Sequence, residues 1–489
     1  MSDREHAVLL DALAALKKHA DVTYAEVRFV EDETERVVVR NSSLEHLESA
    51  SRRGVAIRVL CNGAWGFAAT PGCDPARVNA TARAAIDVAR ASARAGGEKA
   101  TLAAIEGPSR GSYATRVERD PFAVPLDDKI DLLVRACDAL RAKPDHVRRA
   151  EASMLWTRQR KHLVTSDGTD VTQRFVWGGA GMQCVVASDT GIVQRRSFPT
   201  AVDGDVGQGG YERIDAMNLV SESERVREEA LALLHADPVP AGRRTILLES
   251  SQLALQIHES CGHATELDRA FGTEISLAGG SFLAPARLGH FRYGSPIVHL
   301  VADATSPGGL GTFGWDDEGT PASRTDLVRE GMFVGYLSSR ETAARLGVRS
   351  SGSMRADGPS RTPLIRMVNV NLEPDPRGPS LEELIADTDD GLLIATNKSW
   401  SIDDVRLNFQ FGCEAAWEIK KGKRTRLLRD PVYTGITPEF WGRCDAICRP
   451  SEWRLWGILN CGKGEPMQLM GVGHGAAPAR FRDVEVGHG

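Results

Sequence analysis

One segment of the chain decides how the rest is interpreted: residues 256–268 read QIHESCGHATELD. The segment holds His258, Glu259 and His263 in an H-E-x-x-x-H pattern. Two imidazoles can hold a divalent metal ion, and a carboxylate beside the first can accept a proton from a water molecule at that ion. The alternative is an ordinary amphipathic helix with two unrelated histidines. The pattern favours a metal centre over that alternative.

The spacing of the two histidines makes a prediction about the backbone. In the familiar H-E-x-x-H helix the histidines are four residues apart and about 40° apart around the axis. Here they are five apart, which a regular α-helix would separate by about 140°. Both can reach one ion if the helix widens locally into a π-type turn, which is often found at functional sites. Such a distortion costs least at a glycine, so we expect it around Cys261 and Gly262.

Length and composition limit the class of protein. A chain of 489 residues predicts two domains. With 42% apolar and 26% charged residues and a formal charge of −6, the chain reads as a soluble globular protein without a nucleic-acid partner. No apolar run reaches the roughly 18–20 residues that span a bilayer, and the N-terminus lacks the apolar region of a signal peptide. We therefore expect a cytoplasmic protein with no membrane partner. Its nine scattered cysteines indicate thiols or metal ligands, not disulfides.

Residue periodicity divides the chain into two predicted domains. Residues 1–238 alternate between helical and strand patterns, which predicts an N-terminal domain of the α+β class with mixed helices and strands. The dipeptide Asn62-Gly63 is typical of a β-hairpin turn. The segment DPVPAG, with two prolines and a glycine, marks the boundary. The expected elements are an N-terminal helix, strands within 24–70, helices over 75–95 and 125–143, strands within 147–203, and a helix over 213–235.

The second predicted domain spans residues 239–489. A strand over 243–250 leads directly into the helix that bears His258, so a rigid element would place the site. Beyond it, short apolar runs alternate with dense Gly/Pro turns, and one short helix is expected over 381–388. This pattern predicts an antiparallel β-rich, barrel-like domain.

Three motifs occur together and in order: HESCGHATELD, DDEGTP at 316–321, and NCGKGEPMQLMGVGHG at 460–475. Two further segments, NGAWGFAAT at 62–70 and SDGTD at 166–170, accompany them. In these segments the chain resembles the TldD/PmbA metallopeptidases, specifically the TldD-type subunit that bears the metal. The resemblance extends over nearly the full length.

The resemblance implies a zinc site and a reaction. It implies His258, His263 and Cys461 as zinc ligands and Glu259 as the general base on a zinc-bound water. A thiolate with two imidazoles is a donor set that suits Zn²⁺, and three protein ligands leave one position open. The activity implied is zinc-dependent hydrolysis of amide bonds in unfolded or small peptides.

The resemblance also implies a partner, which is either a TldE/PmbA-type sister chain without the ligands or a second copy of this chain. Substrate contacts are expected from Asp317 and Glu318 in the second motif. At the position of His474 the family pattern leads us to expect glutamine or another neutral residue. His474 could therefore contact substrate, donate a proton or be a bystander.

Two other functions stay open at this point. One is an amide hydrolase that acts on a small peptide-like intermediate in natural-product biosynthesis. The other is a non-catalytic, metal-binding subunit of a peptidase complex. The presence of Glu259 argues against the second, because a closed structural metal site needs no base.

Overall fold

A computed structural model describes residues 3–105, 109–143, 145–201, 204–276 and 279–488. Within these ranges no helix combines the length and the apolar character needed to cross a membrane. The secondary structure is mixed, with two eight-stranded sheets and helices in both halves of the chain. The predicted α+β class is confirmed.

The first half contains one eight-stranded sheet and the helices packed on it. Its strands are β1 (Val22–Arg40), β2 (Ser43–Cys61), β3 (Ala64–Pro71), β4 (Arg110–Ala114), β5 (Val147–Thr165), β6 (Asp170–Ala187), β7 (Val193–Phe198) and β8 (Asp205–Gln208). Its helices are α1 (Asp3–Leu16), α2 (Pro75–Ala95), α3 (Leu126–Leu140), α4 (Glu212–Met217) and α5 (Leu219–Leu233), with a 3-10 turn at Pro121–Ala123.

The order of strands in this sheet is β3-β2-β1-β5-β6-β4, and β7 and β8 also pair with β6. The long antiparallel strands β1, β2, β5 and β6 alternate apolar and polar residues, so one face can be covered by helices. Asn62 and Gly63 have φ of 52° and 84°, which is the left-handed geometry of the predicted hairpin turn between β2 and β3. Helices α1 and α2 enclose one apolar core and helices α3 and α5 a second.

The second half has shorter elements. Its strands are β9 (Asp237–Pro238), β10 (Gly242–Leu248), β11 (Leu300–Asp303), β12 (Arg324–Arg329), β13 (Met332–Phe333), β14 (Met354–Arg355), β15 (Leu364–Ile365), β16 (Val370–Leu372), β17 (Asp390–Ile402), β18 (Asn408–Lys420), β19 (Lys423–Arg429), β20 (Pro431–Ile436), β21 (Cys444–Ile447), β22 (Arg454–Lys463), β23 (Gln468–Ala476) and β24 (Ala479–His488). Its α-helices are α6 (Ser250–Ile257), α7 (Leu267–Ala270), α8 (Arg340–Leu346), α9 (Leu381–Ala386) and α10 (Thr437–Gly442). A π-turn at His258–Gly262 and 3-10 turns at His263–Thr265, Pro285–Arg287 and Pro450–Glu452 complete the set.

Strands of the second half close into a barrel. The order is β17-β10-β24-β20-β18, and β17 also pairs with β18, which closes the ring. The prediction of a barrel-like, antiparallel domain is confirmed for the pairs of this ring, except that β10 and β17 run parallel. Strand β9 pairs with β19, so residues 237 and 238 already join the second sheet. The predicted boundary at 238/239 stays a prediction.

Helix α6 lies against the barrel and is buried on nearly every side. Its apolar residues Leu253 and Ile257 are fully buried. Its polar residues are bonded within the core: Gln252 Nε2 donates to the Tyr433 hydroxyl at 2.9 Å, and that hydroxyl donates to Gln256 Oε1 at 3.0 Å. A helix that is buried on nearly every side and tied to the core by these two hydrogen bonds is rigidly placed. The residues that follow it are therefore held in a defined position.

Candidate metal centre

The backbone widens where the histidine spacing predicts it. Residues His258–Gly262 form a π-turn, in which the His263 N–H donates to the His258 carbonyl oxygen five residues earlier. The prediction of a wide turn around Cys261 and Gly262 is confirmed. As a consequence, the rings of His258 and His263 lie with their centroids 4.9 Å apart.

Position 262 requires a glycine because of the limited space around it and not because of its backbone angles. Its φ of −52° and ψ of −62° are ordinary helical values. However, a Cβ atom on Gly262 would lie 2.0 Å from Met367 Sδ. The glycine therefore allows the π-turn to pack against the segment that carries Met367.

Cys461 joins the two histidines from a distant part of the chain. It lies on β22, where the pairing with β23 is irregular between Ile458 and Cys461. Such an irregularity re-aims the side chains beside it. The Cys461 Sγ atom lies 3.7 Å from His263 Nε2. One nitrogen of each histidine and this sulfur all lie within 4.8 Å of one another, and all three residues are buried.

A chain of hydrogen bonds sets which nitrogen of His258 carries its proton. The His474 Nδ1 atom is 3.0 Å from the Val370 carbonyl oxygen, which can only accept, so this nitrogen donates. Burial and the neighbouring His258 hold the pKa of His474 well below its usual value, so its ring is neutral and its Nε2 accepts. His258 Nδ1, 2.8 Å away, is therefore the donor to His474. The lone pair of His258 Nε2 is left for a metal ion.

A second, independent partner orients His263. Its Nδ1 lies 3.0 Å from Glu266 Oε2 and donates to it, so its Nε2 presents a lone pair toward Cys461. Glu266 is buried, yet Lys463, His263 and Arg269 outweigh the effect of burial and hold its pKa well below its usual value. It therefore stays a carboxylate. A carboxylate that accepts from a histidine in this way is the usual companion of a metal-binding imidazole.

The protonation states of the three donors suit zinc. Burial lowers the pKa of His258 to about 4 and also lowers that of His263, so both imidazoles are neutral at neutral pH. Burial raises the pKa of the Cys461 thiol, but His263 and Arg366 outweigh this effect and the net direction is downward. Two neutral imidazoles and a thiol that ionises readily form a borderline-soft donor set. The residues present therefore fit zinc.

Glu259 lies beside the donors and is held by an arginine. The Arg406 Nη1 atom donates to Glu259 Oε2 at 2.5 Å, and both side chains are almost fully buried. Arg406 has a φ of 67°, an uncommon left-handed value for a residue other than glycine. Its carbonyl oxygen accepts from the Thr437 hydroxyl at 2.9 Å, which helps to hold this conformation. Residues held in sparsely populated backbone regions are concentrated at functional sites.

The three donors, Glu259 and Arg406 line one cavity of about 420 Å³. One wall comes from α6 and the π-turn, and another from β22. The remaining surface is largely apolar. Its apolar residues are Ala201, Val206, Ala254, Leu255, Trp400, Trp456, Ile458, Leu459 and Met467.

Only some of the predicted site residues lie together in the structure. His258, Glu259, His263 and Cys461 meet at this cavity. His474 is fully buried behind His258 and does not line it. Asp317 and Glu318 lie elsewhere, in ion pairs between the two halves. Asp317 pairs with Lys161 at 3.0 Å and with Arg28 at 3.4 Å, and Glu318 pairs with Arg58 at 2.9 Å.

Sequence reasoning missed Arg406, Glu266 and Lys463. Glu266 lies three residues after His263 and Lys463 two residues after Cys461, so both were visible as charged residues inside the matched motifs. Arg406 is 147 residues from Glu259 in the sequence and follows no recognisable motif. No local pattern could have identified it.

Comparison with known proteins places the chain in a family of metallopeptidases. Three family models match the chain: the PmbA/TldA metallopeptidase domain 1 over residues 25–93, its central domain over 119–234, and its C-terminal domain over 241–488. The chain therefore belongs to the PmbA/TldD metallopeptidase family, and the resemblance given by the motifs is confirmed.

Individual relatives agree with this assignment. A metalloprotease of Methanothermobacter thermautotrophicus is 30% identical over 467 residues, which are 95% of this chain and 96% of the relative. A zinc metalloprotease TldD homolog of Saccharolobus solfataricus is 23% identical over 231 residues, 47% of this chain and 49% of the relative. The crystal structure of TldE from Thermococcus kodakarensis has a TM-score of 0.72 at 17% identity and covers 98% of this chain and 100% of that chain. The likeness to TldE shows the fold.

Proposed function

We propose that this protein is a zinc-dependent peptidase that hydrolyses amide bonds of unfolded or small peptides. His258, His263 and Cys461 hold the zinc ion, and Glu259 is the general base. One observation carries the proposal: His474 and Glu266 direct the lone pairs of both histidines toward the Cys461 thiol. The name of the Saccharolobus relative, a zinc metalloprotease, supports the choice of metal.

The chemistry divides between the ion and the chain. When bound, zinc supplies a Lewis acid that polarises the scissile carbonyl and makes water more acidic. Glu259 accepts the proton of the attacking water and passes it to the leaving amine. Arg406 holds the Glu259 carboxylate through the bond at 2.5 Å, so the base is oriented before substrate arrives. The largely apolar cavity excludes water around the reacting bond.

The substrate and the partner follow from the family. An extended peptide suits a cavity of about 420 Å³, which admits a few residues and not a folded domain. The similarity to a TldE structure supports a TldE-type sister chain as partner, with a second copy of this chain as the other arrangement. A cytoplasmic location stays a prediction.

Two substitutions separate metal binding from chemistry. Glu259→Gln should retain about one zinc per chain and lower kcat by at least 10²–10⁴-fold, because only the base is removed. Cys461→Ala should lose the zinc and the activity together. Cys261→Ala is the matched control. Cys261 is also a buried thiol and lies in the same motif as the histidines, but it is not a proposed zinc ligand.

Metal content by mass spectrometry and peptide hydrolysis are measured on the same preparations. Undiminished hydrolysis in Glu259→Gln with full zinc would exclude Glu259 as the base. Normal zinc content in Cys461→Ala would exclude Cys461 as a ligand.

A further inference from the structure

A second group of metal-binding side chains lies in the first half, away from the cavity described above. It consists of His6 on α1, His162 on β5 and Asp170 at the start of β6. His6 Nε2 is 3.1 Å from Asp170 Oδ2, and His162 Nε2 is 2.7 Å from Asp170 Oδ1. The three donor atoms all lie within 4.8 Å of one another. Three separate elements thus direct donor atoms to one point.

The three donor atoms lie near enough for a small adjustment to bring them around one divalent ion. Zinc binds imidazole nitrogen and carboxylate oxygen at about 2.0–2.2 Å in tetrahedral sites, which places neighbouring donors about 3.3 Å apart. The distances of 3.1 Å and 2.7 Å run to different oxygens of Asp170, so a shared ion requires a rotation of this carboxylate and an approach of the two imidazoles. His6 and Asp170 are about one-third exposed, so water can complete the coordination.

The surroundings of His162 have the form of an outer coordination shell. Thr172 Oγ1 lies 2.9 Å from His162 Nδ1. If the ring donates to this hydroxyl, its Nε2 presents a lone pair toward Asp170. Metal-binding histidines are usually oriented in this way through their second nitrogen.

The charge balance around Asp170 favours a cation. Among the residues that the structure describes, neither a lysine nor an arginine forms an ion pair with Asp170. Asp32 in the same sheet, by contrast, pairs with Arg52 at 2.7 Å. The described lysine and arginine side chains therefore leave the Asp170 carboxylate without a permanent counter-charge. A divalent ion would supply that charge.

We propose that His6, His162 and Asp170 bind a second divalent transition metal ion of the zinc class, independent of the catalytic centre. Two imidazoles and a carboxylate are a donor set that zinc accepts. The ion joins the first helix to strands β5 and β6, so its role is to stabilise the N-terminal sheet. The alternative is a hydrogen-bonded His-Asp-His group that needs no metal.

The test uses the full chain in a Cys461→Ala background, which removes the proposed catalytic zinc from the count. His6→Gln is the main variant, because its amide can still donate to Asp170 but is a poor ligand. His46→Gln is the matched control, since His46 pairs with Glu48 at 3.5 Å and no second histidine joins this pair within the described ranges. Each protein is dialysed against buffered Zn²⁺, and bound zinc and the melting temperature are measured.

All three proteins carry Cys461→Ala. The protein with this substitution alone and the one that also carries His46→Gln should each bind one more zinc ion per chain than the one that also carries His6→Gln. Zinc should raise the melting temperature of the first two proteins and not of the third. Thr172→Val keeps all three ligands and should bind about 10–100-fold more weakly. Circular dichroism checks that each variant is folded.

Equal zinc content and equal thermal shifts with and without His6 would overturn the proposal. A loss of zinc in His46→Gln as large as that in His6→Gln would overturn it too, because the binding would then be general to surface histidines. Co²⁺ provides an independent check. This site should give a cobalt spectrum without a thiolate charge-transfer band, whereas the proposed catalytic site in the unsubstituted chain should show one. The two proposals can therefore fail separately.

Discussion

Replacing His474 with leucine should weaken zinc binding without touching any proposed ligand. The His474 ring accepts from His258 Nδ1 at 2.8 Å and donates to the Val370 carbonyl oxygen at 3.0 Å. Leucine can do neither. The His258 N–H is then left buried without an acceptor, and the ring is free to rotate or to change its tautomer. Both effects reduce the availability of the Nε2 lone pair.

The magnitude follows from the bond that is lost. A buried donor left unsatisfied costs about 1–3 kcal/mol. Substituting the outer partner of a metal-binding histidine typically weakens metal binding about 10–100-fold, or about 1.4–2.7 kcal/mol. The two ranges agree, so we expect a zinc Kd raised by one to two orders of magnitude. Competition with a chelator of known affinity measures it on the folded protein.

His474→Gln is the matched variant. A glutamine amide has an oxygen that can accept from His258 and a nitrogen that can donate to the Val370 carbonyl, so it can reproduce both bonds. Its Kd should stay within a few-fold of the unsubstituted chain. Zinc binding by His474→Leu that equals that of the unsubstituted chain would refute the role of this hydrogen-bond chain. An equal loss in both variants would show that packing, and not hydrogen bonding, is responsible.

Two further outcomes are expected. Arg406→Gln should retain zinc and lower kcat about 10–100-fold, because Glu259 loses the charged hydrogen bond at 2.5 Å that orients it. Steady-state kinetics and metal analysis measure the two quantities. An unchanged kcat would contradict the role of Arg406 in orienting Glu259. Asp317→Asn should lower the free energy of unfolding by about 3–5 kcal/mol, because Lys161 and Arg28 keep buried charges without their partner. In that variant, hydrolysis per folded molecule should be unchanged, whereas a rise in KM at unchanged stability would support the predicted substrate contact. Asp357→Asn is the control in denaturant unfolding, since its pair with the exposed Arg52 contributes at most about 1 kcal/mol.

Several structural features could be predicted from residue order alone. The helix over 75–95 coincides with α2, because Asp74 caps it, Pro75 opens it and its apolar residues repeat at helical spacing. The Asn62-Gly63 turn and the π-turn at His258–Gly262 are also local consequences of sequence. By contrast, the short helices α8 and α10 were not predicted. Helix α10 lies in a turn-rich segment, where burial of Phe440 and Trp441 stabilises it. Helix α8 has local signals of its own, a capping box at Ser339 and Thr342 and a left-handed Gly347 after its last turn.

The sequence by itself thus determined the family, the fold class and the presence of the histidine pair, because local periodicity and ordered motifs carry that information. Only the tertiary structure decided which residues surround the pair. Cys461 is 198 residues from His263, His474 is 216 from His258 and Arg406 is 147 from Glu259. Such contacts arise because the β22–β23 hairpin and the turn after β17, both distant in the sequence, pack near one end of α6. Packing of the two halves against each other buries Asp317 and Glu318 in ion pairs with the first sheet, and their predicted contact with substrate stays a prediction.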